Sequence, residues 1–240
     1  MNALIRKVLV VTGIFALAVA EVQAEDMLGG VRLKQTRVVM NDGAKAGQFE
    51  IFNHEDVPTL VAAWMTEEDG SNNRDFILTP GVFQLPPQTG GSAKILRINQ
   101  LPNDRESVFY LAVKTMPAEV ANNVTNQSQL YASLTQRIKV FYRPKGLKGD
   151  QKYAADRLMW KKTAGGWTVE NTTPFSVSMT NVYTSGKSKE TVNTVILPFS
   201  KVLLQNEAGK ALTQDVAHFD YVNEWGGVVQ VSVGKKNAQN

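Results

Sequence analysis

From Val31 onward the chain is written in short runs of β-branched, aromatic and aliphatic residues, each cut off by a cluster of Gly, Pro, Asn or Asp. No stretch of roughly 11 residues beyond the N-terminal segment carries an apolar period of 3.6. Such a pattern cannot cover a parallel sheet with helices or build a bundle, so it predicts an all-β chain. Seven strands are expected first: Val31–Met40, Gly47–Asn53, Thr59–Thr66, Phe76–Leu85, Lys94–Ile98, Val108–Lys114 and Leu130–Tyr142. Turn clusters at Asn41-Asp42-Gly43, Asp69–Asn73 and Pro86–Gly91 separate several of them. That spacing is the one a Greek-key sandwich uses.

The composition shifts at Arg143–Asp150, where proline, two glycines and charges follow a long apolar strand. Beyond it a second set of strands is expected at Leu158–Lys161, Gly166–Asn171, Phe175–Tyr183, Val192–Leu197, Lys201–Gln205, Asp215–Val222 and Gly227–Val233. A total of 240 residues suits two such sandwiches. The expected organisation is a signal peptide at 1–24, a first domain at 25–144, a linker at 145–150 and a second domain at 151–240.

The signal peptide is read from Arg6 and Lys7, the apolar run Val8–Ala20, and Val22-Gln23-Ala24 as the cleavage site. The apolar run is too short to span a bilayer, so export without stable membrane insertion is expected. Removing Arg6, Lys7 and Glu21 takes the 26 basic and 22 acidic residues to 24 and 21, a balance too even to point to nucleic acid. The absence of Cys excludes disulfides, thiolate nucleophiles and Cys-based metal sites.

One segment stands out. Leu130–Tyr142 is about twice the usual strand length of 5–6 residues. In its first half Leu130, Ala132 and Leu134 share one face, because strand side chains alternate. Two readings stay open: the three residues pack into their own core, or they project beyond the sheet as a docking rail. The second half carries Arg137, Lys139 and Arg143 among Ile138, Val140, Phe141 and Tyr142. An anion socket formed by Lys139 and Arg37 is one reading, although spacing alone does not bring those two together.

Catalytic patterns are weak. His218 and Asp220 share a strand face by parity, without a nucleophilic serine elbow, and a surface histidine is the expected reading. His54-Glu55-Asp56 reads as a solvated turn, with no second histidine at ligand spacing. Trp160, Trp167 and Trp225 are expected to pack in the core or between domains.

Several segments, taken in order, resemble the periplasmic chaperones of bacterial pilus assembly, the PapD-like family of the chaperone–usher pathway. They are Gln35–Val39, Leu96–Ile98, Asp104–Tyr110, Arg137–Pro144, Leu158–Trp160, Val169–Phe175 and Tyr221–Gly227. The resemblance implies two immunoglobulin-like β-sandwich domains in a boomerang arrangement. It also implies a periplasmic protein, without catalysis or cofactor, that lends a strand to pilus subunits and delivers them to an outer-membrane usher. Arg37 and Lys139 match the family's anchor for the subunit's C-terminal carboxylate, and Leu130, Ala132 and Leu134 its donor-strand residues. Glu106, Arg143 and Glu224 match an interdomain ion-pair network, with Glu224 where Asp is usual; the longer side chain is expected to reach the same partner. Ala132 is smaller than the residue common there, which implies a shallow subunit pocket. The short segment Thr115–Gln129 suggests the branch that builds rod-like pili. An exposed rail invites self-association when no client is present. The competing class is an exported β-sandwich adhesin or structural pilus component.

Overall fold

A computed structural model describes residues 30–41, 43–117, 133–186 and 188–234. Among them there is no α-helix; two short 3-10 turns, Gln151–Tyr153 and Ala155–Arg157, are the sole helical elements. The strands within 31–117 and 134–142 build two facing sheets. One has the order β1 (Val31–Leu33), β3 (Ala46–Asn53), β7 (Thr89–Arg97), β5 (Phe76–Thr79). The other has the order β2 (Arg37–Met40), β9 (Leu134–Tyr142), β8 (Ser107–Pro117), β4 (Thr59–Thr66), β6 (Val82–Leu85). The alternate apolar residues of both sheets meet in one core, in which Phe49, Ile51, Val61, Ile95, Leu111 and Val140 are fully buried.

Residues 159–232 repeat the scheme. One sheet joins β10 (Met159–Thr163), β11 (Gly166–Asn171) and β14 (Ser200–Leu203). The other runs β13 (Lys189–Ile196), β12 (Val177–Thr184), β15 (Val216–Val222), β16 (Val228–Ser232). Between them lie Val169, Met179, Val182, Ile196, Leu204 and Phe219. The stretch 143–150 carries no strand, and Asp150 caps the first 3-10 turn by accepting from the Lys152 amide. The molecule is thus two β-sandwiches of immunoglobulin type.

The strand expected at Leu130–Tyr142 begins at Leu134, with Ser133 outside it, and three further expected strands differ. Val31–Met40 is two strands in two sheets: β1 pairs with β3, and β2 pairs with β9. The switch occurs at Lys34–Thr36, where the Gln35 side chain takes the place of ladder bonds. Its Oε1 accepts from the Glu50 amide at 3.0 Å and its Nε2 donates to the Gln48 carbonyl at 3.0 Å. Phe76–Leu85 also divides, at Pro80-Gly81, because proline brings no amide for a ladder. Its halves β5 and β6 belong to opposite sheets. The strand expected at Lys94–Ile98 begins at Thr89, inside the expected turn cluster. Gly90-Gly91 serves close packing there: a Cβ on Gly91 would stand 2.5 Å from Leu85 Cδ2.

Candidate functional site

The site forms where β2 meets β9. The two strands are parallel, and the register sets Arg37 beside Lys139, Val38 beside Val140, Val39 beside Phe141 and Met40 beside Tyr142. Val38, Met40, Val140 and Tyr142 point into the core. By alternation Arg37 and Lys139 stand together on the opposite face. The pairing that spacing could not establish therefore follows from strand register.

β2 covers only the last four residues of β9, while β8 pairs with β9 along its whole length, from Ser107 with Tyr142 to Thr115 with Leu134. From Leu134 to Ile138, β9 has no strand partner on its other side among the described residues. Among the described residues a side-chain bond reaches across there, from Gln136 Nε2 to the Val31 carbonyl at 3.2 Å. The free edge arises because β2 is short, since β8 keeps pace with β9.

Leu134 shares the parity of the core residues Val140 and Tyr142 but lies beyond the core and is 56% exposed. It is not part of its own domain's interior. Leu130 and Ala132 lie outside the described residues.

Arg37 and Lys139 differ in surroundings. Arg37 Nη1 donates to the Val222 carbonyl at the end of β15 at 2.9 Å, and its guanidinium sits 5.7 Å from the centroid of the Phe141 ring. Its Nε is buried and has no partner among the described residues. Lys139 is half-buried, and no hydrogen bond or ion pair holds its ammonium among the described residues. Burial, and then the Arg37 charge, pull the Lys139 pKa below that of a free lysine, with Glu68 opposing. Two adjacent cations, both partly removed from water, are unfavourable by themselves and favourable once an anion joins them. Arg137, next on the same face, is spent on the protein: its guanidinium covers the Tyr110 ring at 4.0 Å and donates to Thr66 Oγ1 and to the Glu67 and Glu68 carbonyls.

Arg143, just past β9, ties the two sandwiches. It donates to Glu106 Oε1 through Nε at 3.1 Å and Nη2 at 3.0 Å, and through Nη1 to Asn41 Oδ1 at 2.9 Å and Glu224 Oε2 at 3.0 Å. Glu106 is only 2% exposed. Burial pushes its carboxyl up, against the stabilising pull of Arg143 and of the Ser176 amide, which donates to Oε2 at 2.8 Å. The Glu106 amide in turn donates to the Pro174 carbonyl at 2.9 Å. Glu224 reaches Arg143 directly, with its side chain still 26% accessible. Asn41, Ser176 and the Val222 carbonyl carry no recognisable motif; backbone groups above all leave no trace in a sequence.

The other candidates fall elsewhere. His218 is exposed, with Nδ1 3.2 Å from Ser232 Oγ. Asp220 is buried and accepts from Tyr183 Oη at 2.7 Å and Asn181 Nδ2 at 3.2 Å. His54 rests against Phe52. Trp160 packs on Phe219 and Trp167, within the second core. Trp225 corrects the packing expectation: it is 86% exposed, because it occupies the tip of the β15–β16 hairpin.

Comparison with known proteins finds matches to both sandwiches. Residues 30–148 match the N-terminal domain of the PapD pili and flagellar-assembly chaperones, and residues 153–233 match the PapD C-terminal domain. The chain is 30% identical to the chaperone protein FimC of Escherichia coli K12 over 210 residues, which covers 85% of this chain and 84% of FimC. The crystal structure of the E. coli chaperone DraB superposes with a TM-score of 0.69 at 29% identity, covering 85% of this chain and 95% of DraB. The SafB chaperone, solved in complex with the SafA pilin of Salmonella enterica, shares the fold with a TM-score of 0.72 at 24% identity, covering 86% and 97%.

Proposed function

The chain belongs to the PapD family of pilus-assembly chaperones, and from that premise we propose that it caps an exported pilus subunit by lending it the free edge of β9. A sandwich that lacks its last strand has an open core and an unpaired edge. A strand supplied from outside satisfies both: its main chain pairs with the open edge and its alternate side chains enter the core. Leu134–Ile138 offers an edge unpaired among the described residues and Leu134 an unburied apolar side chain, with Leu130 and Ala132 continuing the row in sequence.

One observation carries the reading. The free edge of β9 ends where β2 begins, at the Arg37–Lys139 pair. A client strand laid along that edge must stop or turn away there, and one that stops with its C-terminus at the cation pair presents it with a carboxylate. Among the described residues Lys139 has no hydrogen-bond or ion-pair partner and Arg37 Nε none, and these are the groups that would receive it. Fixing the terminus fixes the register, since a slip of one residue would turn every apolar side chain of the row outward.

The Arg143 network keeps the second sandwich, and with it the Val222 carbonyl that orients Arg37, in place beside the first. The chaperone acts in the periplasm, with the signal peptide removed after Ala24, and hands the capped subunit to an outer-membrane usher. The test is co-expression with a candidate subunit. Lys139→Ala and Arg37→Ala should each fail to retain it in the periplasm, whereas retention at the wild-type level by both would refute the anchor.

A further inference from the structure

The turn joining β15 to β16 presents a bare indole from a rigid mount. The Asn223 amide donates to the Gly227 carbonyl at 2.9 Å, and Asn223 Oδ1 accepts from the amides of Trp225 at 3.0 Å and Gly227 at 2.9 Å. Glu224 is held by Arg143. Gly226 has φ of +88°, and a Cβ there would stand 2.5 Å from Thr36 Oγ1, so the tip is pressed against the connection between β1 and β2. On this fixed turn Trp225 is the most exposed of the described large apolar residues. Trp225 forms part of the wall of a pocket of mixed polarity, whose lining includes Lys34, Gln35, Arg37, Val39 and Glu224.

We propose that Trp225 is a client contact, covering an apolar side chain of the bound subunit next to the point where the subunit's terminal carboxylate is held. The inference rests on the function proposed above. Arg37 connects the two places, since it lines both this pocket and the crevice that contains Phe141, Arg143 and Val222. A strand ending at Arg37 and Lys139 brings its last residues to the rim on which the indole stands. A large planar apolar group on a hydrogen-bonded turn, flanked by polar side chains, is the composition of an interface hot spot. Because the turn is fixed before binding, little ordering entropy opposes the contact.

Hydroxyl-radical footprinting of the full chain, free and in complex with a co-expressed subunit, reads the contact directly. The Trp225 modification rate should fall at least about fivefold in the complex, Trp225→Ala should weaken the complex about tenfold, and Trp225→Phe should retain most of the affinity. Equal labelling in both states, with Lys139→Ala still losing the subunit, overturns this inference and leaves the proposed function standing. Retention of the subunit by Lys139→Ala overturns the function itself, and this inference with it. Protection already present in the free chain and growing with its concentration would assign the indole to a second copy and overturn the client contact. If Trp225→Ala lowers the thermal midpoint of the free chain, the wild-type footprint decides.

Discussion

Replacing Leu134 separates a docking residue from a core residue. Burying a leucine fully is worth about 1.5–3 kcal/mol, and 56% of Leu134 is still open to water. A client that covers it therefore gains about 1–1.7 kcal/mol, or about 5- to 20-fold in affinity. Leu134→Ala should forfeit most of that factor. Leu134→Asp goes further, because it places an unpaired carboxylate in the client's core at a cost of several kcal/mol, enough to abolish a stable complex. The free chain should hardly notice: Leu134 is largely outside its own core, and the thermal midpoint should move by no more than about 2–4 °C. The assay pairs recovery of a tagged subunit from periplasmic extracts with thermal unfolding of the purified chain by circular dichroism. A Leu134→Asp variant that still retains the subunit, or that unfolds tens of degrees early, refutes the reasoning.

The charge network makes further predictions. Lys139→Met removes a desolvated cation beside Arg37, so the free chain should be as stable as wild type or more stable while the complex is lost; a drop in thermal midpoint would contradict this. Since the Lys139 pKa is lowered in the free chain and a bound carboxylate favours the protonated amine, affinity should fall as pH rises through that lowered value toward 10.5. In the same window the unfolded chain holds the extra proton, so the lysine's contribution to folding stability rises; calorimetric binding and urea unfolding across alkaline pH check the two opposite slopes, and Lys139→Arg should flatten both. Arg143→Ala leaves Glu106 buried without its cation and should cost about 3–5 kcal/mol in urea unfolding, whereas Glu224→Ala, at a partly accessible site, should cost about 1 kcal/mol or less. The reverse order would refute the assignment of Glu106 as the buried partner.

Most strands were legible because each sandwich buries one face of each sheet: polar and apolar residues alternate along much of β3 and β12, while β4 and β8 carry short continuous runs of β-branched, aromatic and aliphatic residues bounded by turn clusters. What alternation conceals is a change of sheet. Val31–Met40 keeps one pattern across Gln35, yet the chain leaves one sheet there and joins the other, and only the Gln35 side-chain bonds to Gln48 and Glu50 mark the step. The Gly90-Gly91 pair looked like a turn because glycine in a strand carries no apolar signal. It is a strand by its ladder with β3, and Leu85 fills the space that a Cβ on Gly91 would take.

The site shows the same division. Sequence resemblance singled out Arg37, Lys139, Glu106, Arg143 and Glu224, but the Arg37–Lys139 juxtaposition depends on parallel pairing between residues about a hundred positions apart, and Arg143 meets Glu106 and Glu224 across 37 and 81 positions. No local pattern encodes that pairing. Nor does a pattern distinguish an exposed Trp225 from a packed one, since exposure follows from its place on the hairpin tip.

The lent edge itself can be followed by amide hydrogen exchange across Leu134–Ile138, compared between the free chain and its complex with a subunit. Amides on the open side of β9 should exchange quickly in the free chain and become strongly protected in the complex, with protection stopping at Lys139, where β2 already occupies the edge. Unchanged exchange there, with protection appearing on another face, would contradict strand lending as the way this chaperone holds its client.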